Sequence, residues 1–177
     1  MIVLLMGVSG CGKTTVGARL AAALGAVFHE GDTFHPAKNV AKMARGEPLT
    51  DDDRAPWLAA IAAAMARAER AGETAVFACS ALRRRYRDLL RAACPDLRLV
   101  YLSGNEALVR GRLEARRSHF MPPTLLPSQF RTLEPPDAGE QPIVIDVVAP
   151  PELIVAAIRA ALDSPGGAAP TRLPALP

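Results

Sequence analysis

Apolar residues fall along the chain in two kinds of pattern. Five short, mostly apolar runs, of which 2–6 is the clearest, are typical of parallel strands that are covered on both faces. Between these runs, apolar residues recur with helical spacing, as Val16, Leu20 and Leu24 do. This alternation predicts an α/β fold in which a five-stranded parallel sheet carries helices on both faces. The predicted strands are 2–6, 26–29, 75–79, 97–102 and 143–147, and the predicted helices are 14–24, 37–45, 56–71, 83–93, 105–117, 128–133 and 151–162.

The first predicted strand runs directly into the octet GVSGCGKT, which fits the phosphate-binding P-loop pattern G-x-x-x-x-G-K-[ST]. Its glycines let successive backbone N–H groups point inward, and the N-terminus of the next helix adds positive potential there. Lys13 is predicted to reach the β- and γ-phosphates of ATP, and the Thr14 hydroxyl to hold Mg²⁺. The predicted ATP-binding residues are Gly7, Val8, Ser9, Gly10, Cys11, Gly12, Lys13, Thr14 and Thr15.

Composition narrows the classes of protein that fit this pattern. A chain of 177 residues that is 50% apolar and 22% charged predicts a globular protein of one domain. The formal charge of +3 reflects arginines in two predicted helices and no basic tail, so we expect no nucleic-acid partner. The apolar start of the chain is too short to span a membrane and has no basic leader, so we expect no membrane association.

Cysteine spacing and the last residues set two further expectations. Cys11, Cys79 and Cys94 lack the spacing of a metal site and predict free thiols in a reducing, cytoplasmic compartment. The stretch 164–177 is rich in Pro, Gly and Ala and predicts a disordered tail. Residues 1–163 are then expected to form the folded domain.

Candidate functional residues follow the second predicted strand. Asp32 lies just past the strand end, where open α/β sheets place their ligands. It is either a general base or a Mg²⁺ ligand, or it caps the helix that begins near Pro36. His35 is either a substrate contact or a structural residue at the start of that helix.

Three consecutive acidic residues lie in the predicted loop 48–54. Asp51, Asp52 and Asp53 suit the positive end of the dipole of the next helix. Arg54 opposes that dipole. A residue that is unfavourable for the local helix in this way is expected where its side chain is needed for function.

Arginines are concentrated in the fourth and fifth predicted helices. The fourth begins at the carboxyl end of a strand, so some of its arginines are expected to face the ligand cleft. In the fifth, Arg112 and Arg116 share a face at i, i+4 spacing. They lead into 118–127, whose three prolines predict a loop. Cationic donors beside a loop are typical of a phosphoryl-transfer lid, here about 112–130, although an arginine-rich surface helix has the same pattern.

Two classes of P-loop protein do not fit this sequence. A switch GTPase would carry an N-K-x-D motif, and neither Asn39 nor Asn105 begins one. A mechanical ATPase would carry an acidic residue at the end of a Walker B strand, and the strand 75–79 ends without one. The small size and the arginines beside the loop instead indicate a kinase of a small metabolite.

Further segments make a resemblance specific. They are GDTFHPAKN at 31–39, GEPLTDDDRAPWL at 46–58, CSAL at 79–82, YRDLLR at 86–91, HFM at 119–121 and SQFRTLE at 128–134. With the P-loop, they resemble the gluconokinase family from residue 1 to about residue 147. The resemblance implies ATP-dependent phosphorylation of D-gluconate to 6-phospho-D-gluconate. It also implies a fold like those of shikimate and nucleoside monophosphate kinases, and a homodimer.

For such a reaction, four residues are predicted to be catalytic: Lys13, Asp32, Arg112 and Arg116. Asp32 would orient the acceptor hydroxyl, accept its proton and help Thr14 to hold Mg²⁺. The two arginines would close over the transferring phosphoryl group as charge spreads over its oxygens.

Gluconate also presents a carboxylate and secondary hydroxyls to the protein. A carboxylate calls for a bidentate arginine, and the candidates are Arg54, Arg83 and Arg87. The candidates for the hydroxyls are His35, Lys38 and Asn39.

Two residues depart from the family pattern. Ser118 stands where the family usually has Gly, and Arg83 stands where it often has Lys; neither change removes a charge. The rival functions are a kinase of shikimate or a nucleoside monophosphate, and a regulatory nucleotide-binding module that hydrolyses ATP slowly or not at all. A regulatory module that hydrolyses ATP slowly would not need the pair Asp32 and His35, or the pair Arg112 and Arg116.

Overall fold

The computed structural model describes residues 1–115 and 122–164. Its strands are β1 (Ile2–Met6), β2 (Val27–Glu30), β3 (Ala75–Ala78), β4 (Arg98–Ser103) and β5 (Ile143–Asp146), each within one residue of its predicted bounds. They form one five-stranded parallel sheet in the order β2-β3-β1-β4-β5. This confirms the predicted fold class.

Helices cover both faces of the sheet, as expected for parallel strands joined by crossovers. They are α1 (Lys13–Leu24), α2 (Ala37–Ala44), α3 (Asp51–Arg70), α4 (Arg84–Ala93), α5 (Glu106–Glu114), α6 (Leu126–Thr132) and α7 (Pro151–Asp163). Within the two described ranges, no helix is both long and apolar enough to cross a membrane.

Strand β1 is the centre of the core. Val3 and Leu5 belong to the apolar cluster beneath α1 and α7, whereas Ile2, Leu4 and Met6 belong to the cluster beneath α3 and α4. All five side chains are buried, and each large one contributes roughly 1.5–3 kcal/mol through burial. The unbroken apolar run therefore follows from burial on both faces, and it gives the P-loop a rigid base.

Helix α3 begins earlier than the sequence predicts. The prediction placed its start at Pro56, but the helix begins at Asp51 and contains that proline. Thr50 caps it through a capping box: the Thr50 hydroxyl accepts from the Asp53 N–H (3.2 Å), and the Asp53 carboxylate accepts from the Thr50 N–H (2.8 Å). The predicted loop 48–54 therefore ends at Thr50.

Three short 3₁₀ helices also lie outside the predicted elements. They are Gly31–Phe34, Pro123–Leu125 and Ala138–Glu140. The second leads straight into α6, so helical structure begins in a segment for which the sequence predicts a loop. Of the predicted lid, residues 116–121 lie outside the described residues, as does most of the predicted tail.

The carboxyl ends of β2, β3 and β1 lie side by side because these strands are neighbours in the sheet. The 3₁₀ helix Gly31–Phe34 follows β2, the turn 80–82 follows β3, and the P-loop follows β1. The Gly7 N–H donates to the Ser80 carbonyl (3.2 Å), which joins the last two. The fold therefore brings the three candidate segments to one edge of the sheet.

Candidate active site

The P-loop has the backbone geometry of a phosphate cradle. Gly7 has φ 143°, and a Cβ there would lie 2.7 Å from the Leu102 carbonyl oxygen, so only glycine fits. The Lys13 ammonium donates to the carbonyl oxygens of Gly7 (2.9 Å) and Val8 (3.0 Å). Helix α1 begins at Lys13, so its N-terminus faces the same loop, and Thr14 and Thr15 are exposed in its first turn.

A cleft opens beside the P-loop on the side of β2 and β3. Its walls come from the P-loop, from the segment after β2, from α2 and α3, from the turn after β3, from α4 and from α6. It is lined by Ser9, Lys13, Asp32, His35, Met43, Pro48, Leu49, Arg54, Trp57, Ser80, Leu82, Tyr86, Leu125, Ser128 and Gln129. The cleft thus brings together five predicted site residues that have polar or charged side chains: Ser9, Lys13, Asp32, His35 and Arg54.

Asp32 is held by a tight contact between β2 and β3. A Cβ on Gly31 would lie 2.0 Å from the Ala78 carbonyl oxygen, so glycine is required for the close approach. The Asp32 N–H donates to the Glu30 carboxylate (3.5 Å), which caps this 3₁₀ helix. The N-cap position of α2 is occupied by Pro36, whose side chain makes no capping hydrogen bond. Asp32 instead lines the cleft with Lys13.

His35 is packed as a neutral ring. It stacks on Trp57, with ring centroids 4.2 Å apart and planes 13° apart. Trp57 is fixed in turn by its indole N–H, which donates to the Gly31 carbonyl (2.8 Å). Burial, with a smaller contribution from the charge of Arg54, lowers the pKa of His35 to about 4. A neutral imidazole in the cleft is suited to hydrogen bonding with an alcohol.

The three candidate carboxylate ligands differ in their partners. Arg54 lines the cleft and lies over the Tyr86 ring, 5.9 Å from its centroid. Within the described parts of the chain it forms no ion pair, so its charge is available to a ligand. Arg83 is half-buried, lies 3.5 Å from the Asp51 carboxylate and is not a lining residue of the cleft.

Arg87 is buried and has a structural role. Only 2% of its side chain is exposed, and it pairs through two nitrogens with the Glu140 carboxylate, which is also buried. Its remaining donors bind the carbonyls of Ala81 (3.1 Å), Leu82 (3.3 Å) and Glu134 (3.0 Å). The prediction of Arg87 as a substrate ligand is therefore corrected: its hydrogen bonds are already used within the fold.

The two candidates on α2 also lie away from the cleft wall. Lys38 is exposed and is not a lining residue. Asn39 is fully buried, and its amide donates to the Asp53 carbonyl (2.7 Å), which ties α2 to α3. The structure contradicts the interpretation of Asn39 as a hydroxyl ligand because the residue is fully buried and does not line the cleft, although its Oδ1 has no hydrogen-bond partner among the described residues.

Arg112 lies on the other side of the P-loop from the cleft. It lines a second cavity with Gly10, Cys11, Gly12 and Thr15, and its guanidinium donates to the Val147 carbonyl (2.6 Å). Arg116, the other predicted lid arginine, lies outside the described residues.

Several lining residues carried no functional prediction. Trp57 was expected only in the core, and its apolar spacing gave no sign of a second role. Gln129 was part of a family motif without an assigned role, yet its side-chain oxygen accepts from the Ser9 N–H (2.7 Å). Tyr86 donates from its hydroxyl to Asp51 at the rim of the cleft. None of these contacts is encoded by local sequence spacing.

Comparisons with known proteins agree with this geometry. The AAA domain family matches residues 2–136. The thermoresistant gluconokinase of Escherichia coli K12 is 46% identical over 156 residues, which cover 88% of this chain and 89% of that protein.

Solved structures that resemble this chain include a sugar kinase and a gluconokinase. A sugar kinase from Janibacter sp. HTCC2649 has a TM-score of 0.88 at 44% identity, covering 92% of this chain and 94% of that one. A gluconokinase from Sinorhizobium meliloti 1021 has a TM-score of 0.81 at 46% identity, covering 89% of each chain. Shikimate kinase from Aquifex aeolicus, at 16% identity and a TM-score of 0.58, shares the fold alone. With the P-loop and the cleft beside it, these relatives show that the chain belongs to the gluconokinase family.

Proposed function

We propose that this protein is an ATP-dependent gluconokinase, which transfers the γ-phosphoryl group of ATP to the 6-hydroxyl of D-gluconate. One observation carries the proposal: an arginine without an ion-pair partner among the described residues, Arg54, lines the same cleft as Lys13 of the P-loop. A cleft with a phosphate-binding loop on one wall and a cation on another suits an acidic acceptor. Family membership gives the substrate.

The P-loop supplies the nucleotide site. Backbone N–H groups of the P-loop, other than those of Gly7 and Ser9 that donate to Ser80 and Gln129, bind the phosphate oxygens of ATP together with the N-terminus of α1. Lys13, now bound to the Gly7 and Val8 carbonyls, moves its ammonium onto the β- and γ-phosphates. Arg112 assists from the nucleotide side, because it lies beside Gly10, Cys11 and Thr15.

The residues present fit Mg²⁺, which binds proteins through one or two oxygen ligands and keeps several waters. Thr14 supplies a hydroxyl and Asp32 a carboxylate. In the described parts of the chain, no cluster of three or more His, Cys, Asp or Glu residues could hold a metal ion by itself, which is consistent with such a sparsely liganded site. When bound, the ion neutralises charge on the β- and γ-phosphates.

The acceptor side positions gluconate for in-line attack. Arg54 binds the carboxylate through two charge-assisted hydrogen bonds. Neutral His35, fixed on Trp57, binds a hydroxyl. Lys38 and Arg83 lie outside the cleft wall, so they favour the binding of the gluconate anion through their positive potential and not through direct contact.

Asp32 orients the 6-hydroxyl and accepts its proton. The oxygen of that hydroxyl forms a bond to the γ-phosphorus, the bond from this phosphorus to the β–γ bridging oxygen breaks, and ADP leaves. Because deprotonation comes late in a loose transition state, placement of the hydroxyl matters more than the basicity of Asp32. Arg116, which lies outside the described residues, is proposed from the sequence alone as a further cationic donor to the transferring phosphoryl group.

A panel of acceptors tests the proposal. ADP release from Mg-ATP is measured with D-gluconate, shikimate, AMP or no acceptor. We expect strong stimulation by gluconate alone. Stimulation by shikimate or AMP instead would assign the cleft to another kinase of this fold, and equal ADP release with all four would favour a regulatory nucleotide-binding module.

Three predictions about the setting remain part of the proposal. The family resemblance implies a homodimer, which light scattering tests. We expect a cytoplasmic location, which the three buried, free cysteines support and which fractionation of cells tests. We also expect no nucleic-acid or membrane partner, which binding to DNA, RNA and vesicles would test.

A further inference from the structure

The motif SQFRTLE has no assigned role in the reaction, but it joins both walls of the cleft. Helix α6 brings Gln129 to the P-loop, where its side-chain oxygen accepts from the Ser9 N–H at 2.7 Å. The two residues are 120 positions apart in the chain. A side chain from a distant helix therefore fixes the third residue of the phosphate loop.

The far end of the same motif holds the turn after β3. The Glu134 N–H donates to the Leu82 carbonyl (2.8 Å), and the Glu134 carboxylate accepts from the Arg84 N–H (2.7 Å) at the start of α4. We call these contacts, made by Gln129 and Glu134, the α6 bridge. They act on a turn whose Ser80 and Leu82 line the cleft.

The bridge closes a ring of hydrogen bonds around the cleft. The turn after β3 binds the P-loop directly, through the Gly7 N–H and the Ser80 carbonyl (3.2 Å). Gln129 ties α6 to the P-loop, and Glu134 ties the end of α6 to the turn. Each of the three segments makes two of these contacts, so movement of any one segment would strain both of its contacts.

The position of Ser9 within this ring matters for phosphoryl transfer. Ser9 lines the acceptor cleft with Lys13 and Asp32, so it lies where the nucleotide and acceptor sides meet. Its N–H is occupied by Gln129, and the loop conformation at this residue is set by that bond. Small displacements of reacting groups can cost about 100-fold in rate.

We propose that Gln129 is a positioning residue for phosphoryl transfer, which acts by holding Ser9 and thereby the alignment of the P-loop with the acceptor. The inference rests on the proposed function. It predicts that loss of the Gln129 oxygen lowers kcat and leaves the binding of gluconate largely unchanged.

Two variants on α6 form a matched pair. Gln129→Met keeps the length of the side chain and removes its amide group, including the oxygen that accepts from the Ser9 N–H. Thr132→Val keeps its shape and removes a hydroxyl that bonds only within the helix, to the Ser128 carbonyl (2.8 Å). We expect kcat to fall about 10–100-fold in Gln129→Met and to stay within about twofold in Thr132→Val.

Gluconate binding is measured separately, through the fluorescence of Trp57, the only tryptophan of the chain and a lining residue of the cleft. We expect the Kd of gluconate to change less than about threefold in Gln129→Met. A rise in Kd that accounts for the whole loss of kcat/KM would overturn the inference, because Gln129 would then be a substrate ligand. An unchanged kcat would overturn it as well.

A second readout follows the bond itself. Exchange of the Ser9 amide hydrogen with solvent should accelerate in Gln129→Met and not in Thr132→Val. Equal exchange in both would contradict the proposed link, even if Gln129→Met folded poorly. Absence of gluconate turnover in the wild-type protein would count against the proposed function, whereas normal wild-type turnover with unchanged kcat in Gln129→Met would count against this inference alone.

Discussion

The two sides of the cleft are built in different ways. The phosphate side is one continuous loop between β1 and α1, and it binds mainly through backbone N–H groups. The acceptor side is assembled from separate segments: Asp32 and His35 follow β2, Arg54 and Trp57 lie on α3, and Tyr86 lies on α4. The phosphate side therefore depends on the conformation of one loop, whereas the acceptor side depends on how the fold packs side chains from separate segments together.

Replacing Lys13 removes the cation of the P-loop that is proposed to bind the β- and γ-phosphates. Lys13→Met should lower kcat by about 10²–10³-fold, the magnitude expected for removing a preorganised electrostatic donor. The Kd of gluconate from Trp57 fluorescence should stay nearly unchanged, because the acceptor wall remains. Arg19→Met is the control: it removes a cation from the exposed part of the same helix, where Arg19 pairs with Glu152. A comparable loss in both variants would contradict the role of Lys13.

Breaking the Arg87–Glu140 pair tests whether Arg87 belongs to the acceptor side. Burial alone would raise the pKa of Glu140, but hydrogen bonds from Arg87 and its charge hold that pKa below its ordinary value. Arg87→Met leaves this carboxylate buried and unpaired, which costs about 3–5 kcal/mol of unfolding free energy, or roughly 10 °C in melting temperature.

The double variant Arg87→Met with Glu140→Leu removes both charges and should recover most of this loss. Thermal unfolding measures all three proteins. An unchanged melting temperature in Arg87→Met, together with a raised KM for gluconate, would restore Arg87 as a substrate ligand.

Arg54 and Arg83, both candidates for the gluconate carboxylate, differ in whether they are paired with a carboxylate of the protein. Both are arginines near the cleft, but Arg83 lies beside Asp51 and Arg54 forms no ion pair among the described residues. Arg54→Met should raise the KM of gluconate roughly 30-fold with little change in kcat, since charge-assisted hydrogen bonds contribute about 1.5–3 kcal/mol.

Arg83→Met is the matched variant, and we expect it to change that KM by less than about threefold, because an exposed ion pair contributes little. Steady-state kinetics at saturating Mg-ATP separates the two. An effect of Arg83→Met as large as that of Arg54→Met would contradict the assignment of the carboxylate site.

The smallest expected effect concerns the protonation of His35. Its pKa is lowered to about 4 in the folded protein, and its ordinary value is 6.5. Between these values the unfolded chain binds more protons at His35 than the folded one, so this residue makes stability fall as pH falls from 6.5 to about 4. Above 6.5 it makes no pH-dependent contribution.

Urea unfolding of the wild type and His35→Gln across this range measures the effect. The difference in unfolding free energy, wild type minus variant, should become more negative as pH falls from 6.5 to 4 and stay constant above 6.5. A constant difference over the whole range would show that the imidazole is not held neutral.

The sequence predicts the phosphate side well for a physical reason. Loop conformation there depends on glycines and one lysine at fixed spacing, so the nine residues 7–15 are recognisable together. The strands are equally clear, because burial on both faces requires unbroken apolar runs such as Ile2–Met6. The predicted start of α3 is wrong because Pro56 suits a first turn, whereas the helix begins five residues earlier at Asp51, after a cap formed by Thr50 and Asp53.

The acceptor side is only partly predictable because its roles depend on tertiary partners. Arg54, Arg83 and Arg87 are alike in sequence, and the partner that distinguishes Arg87, Glu140, is 53 residues away in a segment without a predicted element. Asn39 is similar, since the Asp53 carbonyl that it binds lies on another helix. Gln129 likewise becomes meaningful only when the fold brings it to Ser9.

We expect the cleft beside the P-loop to accept gluconate. The most direct test of this expectation is ADP release from Mg-ATP by the purified wild-type protein, with and without D-gluconate. We expect D-gluconate to stimulate ADP release strongly. Protein that binds ATP but releases no more ADP with gluconate than without it would contradict the account, and the acceptor would have to be sought elsewhere.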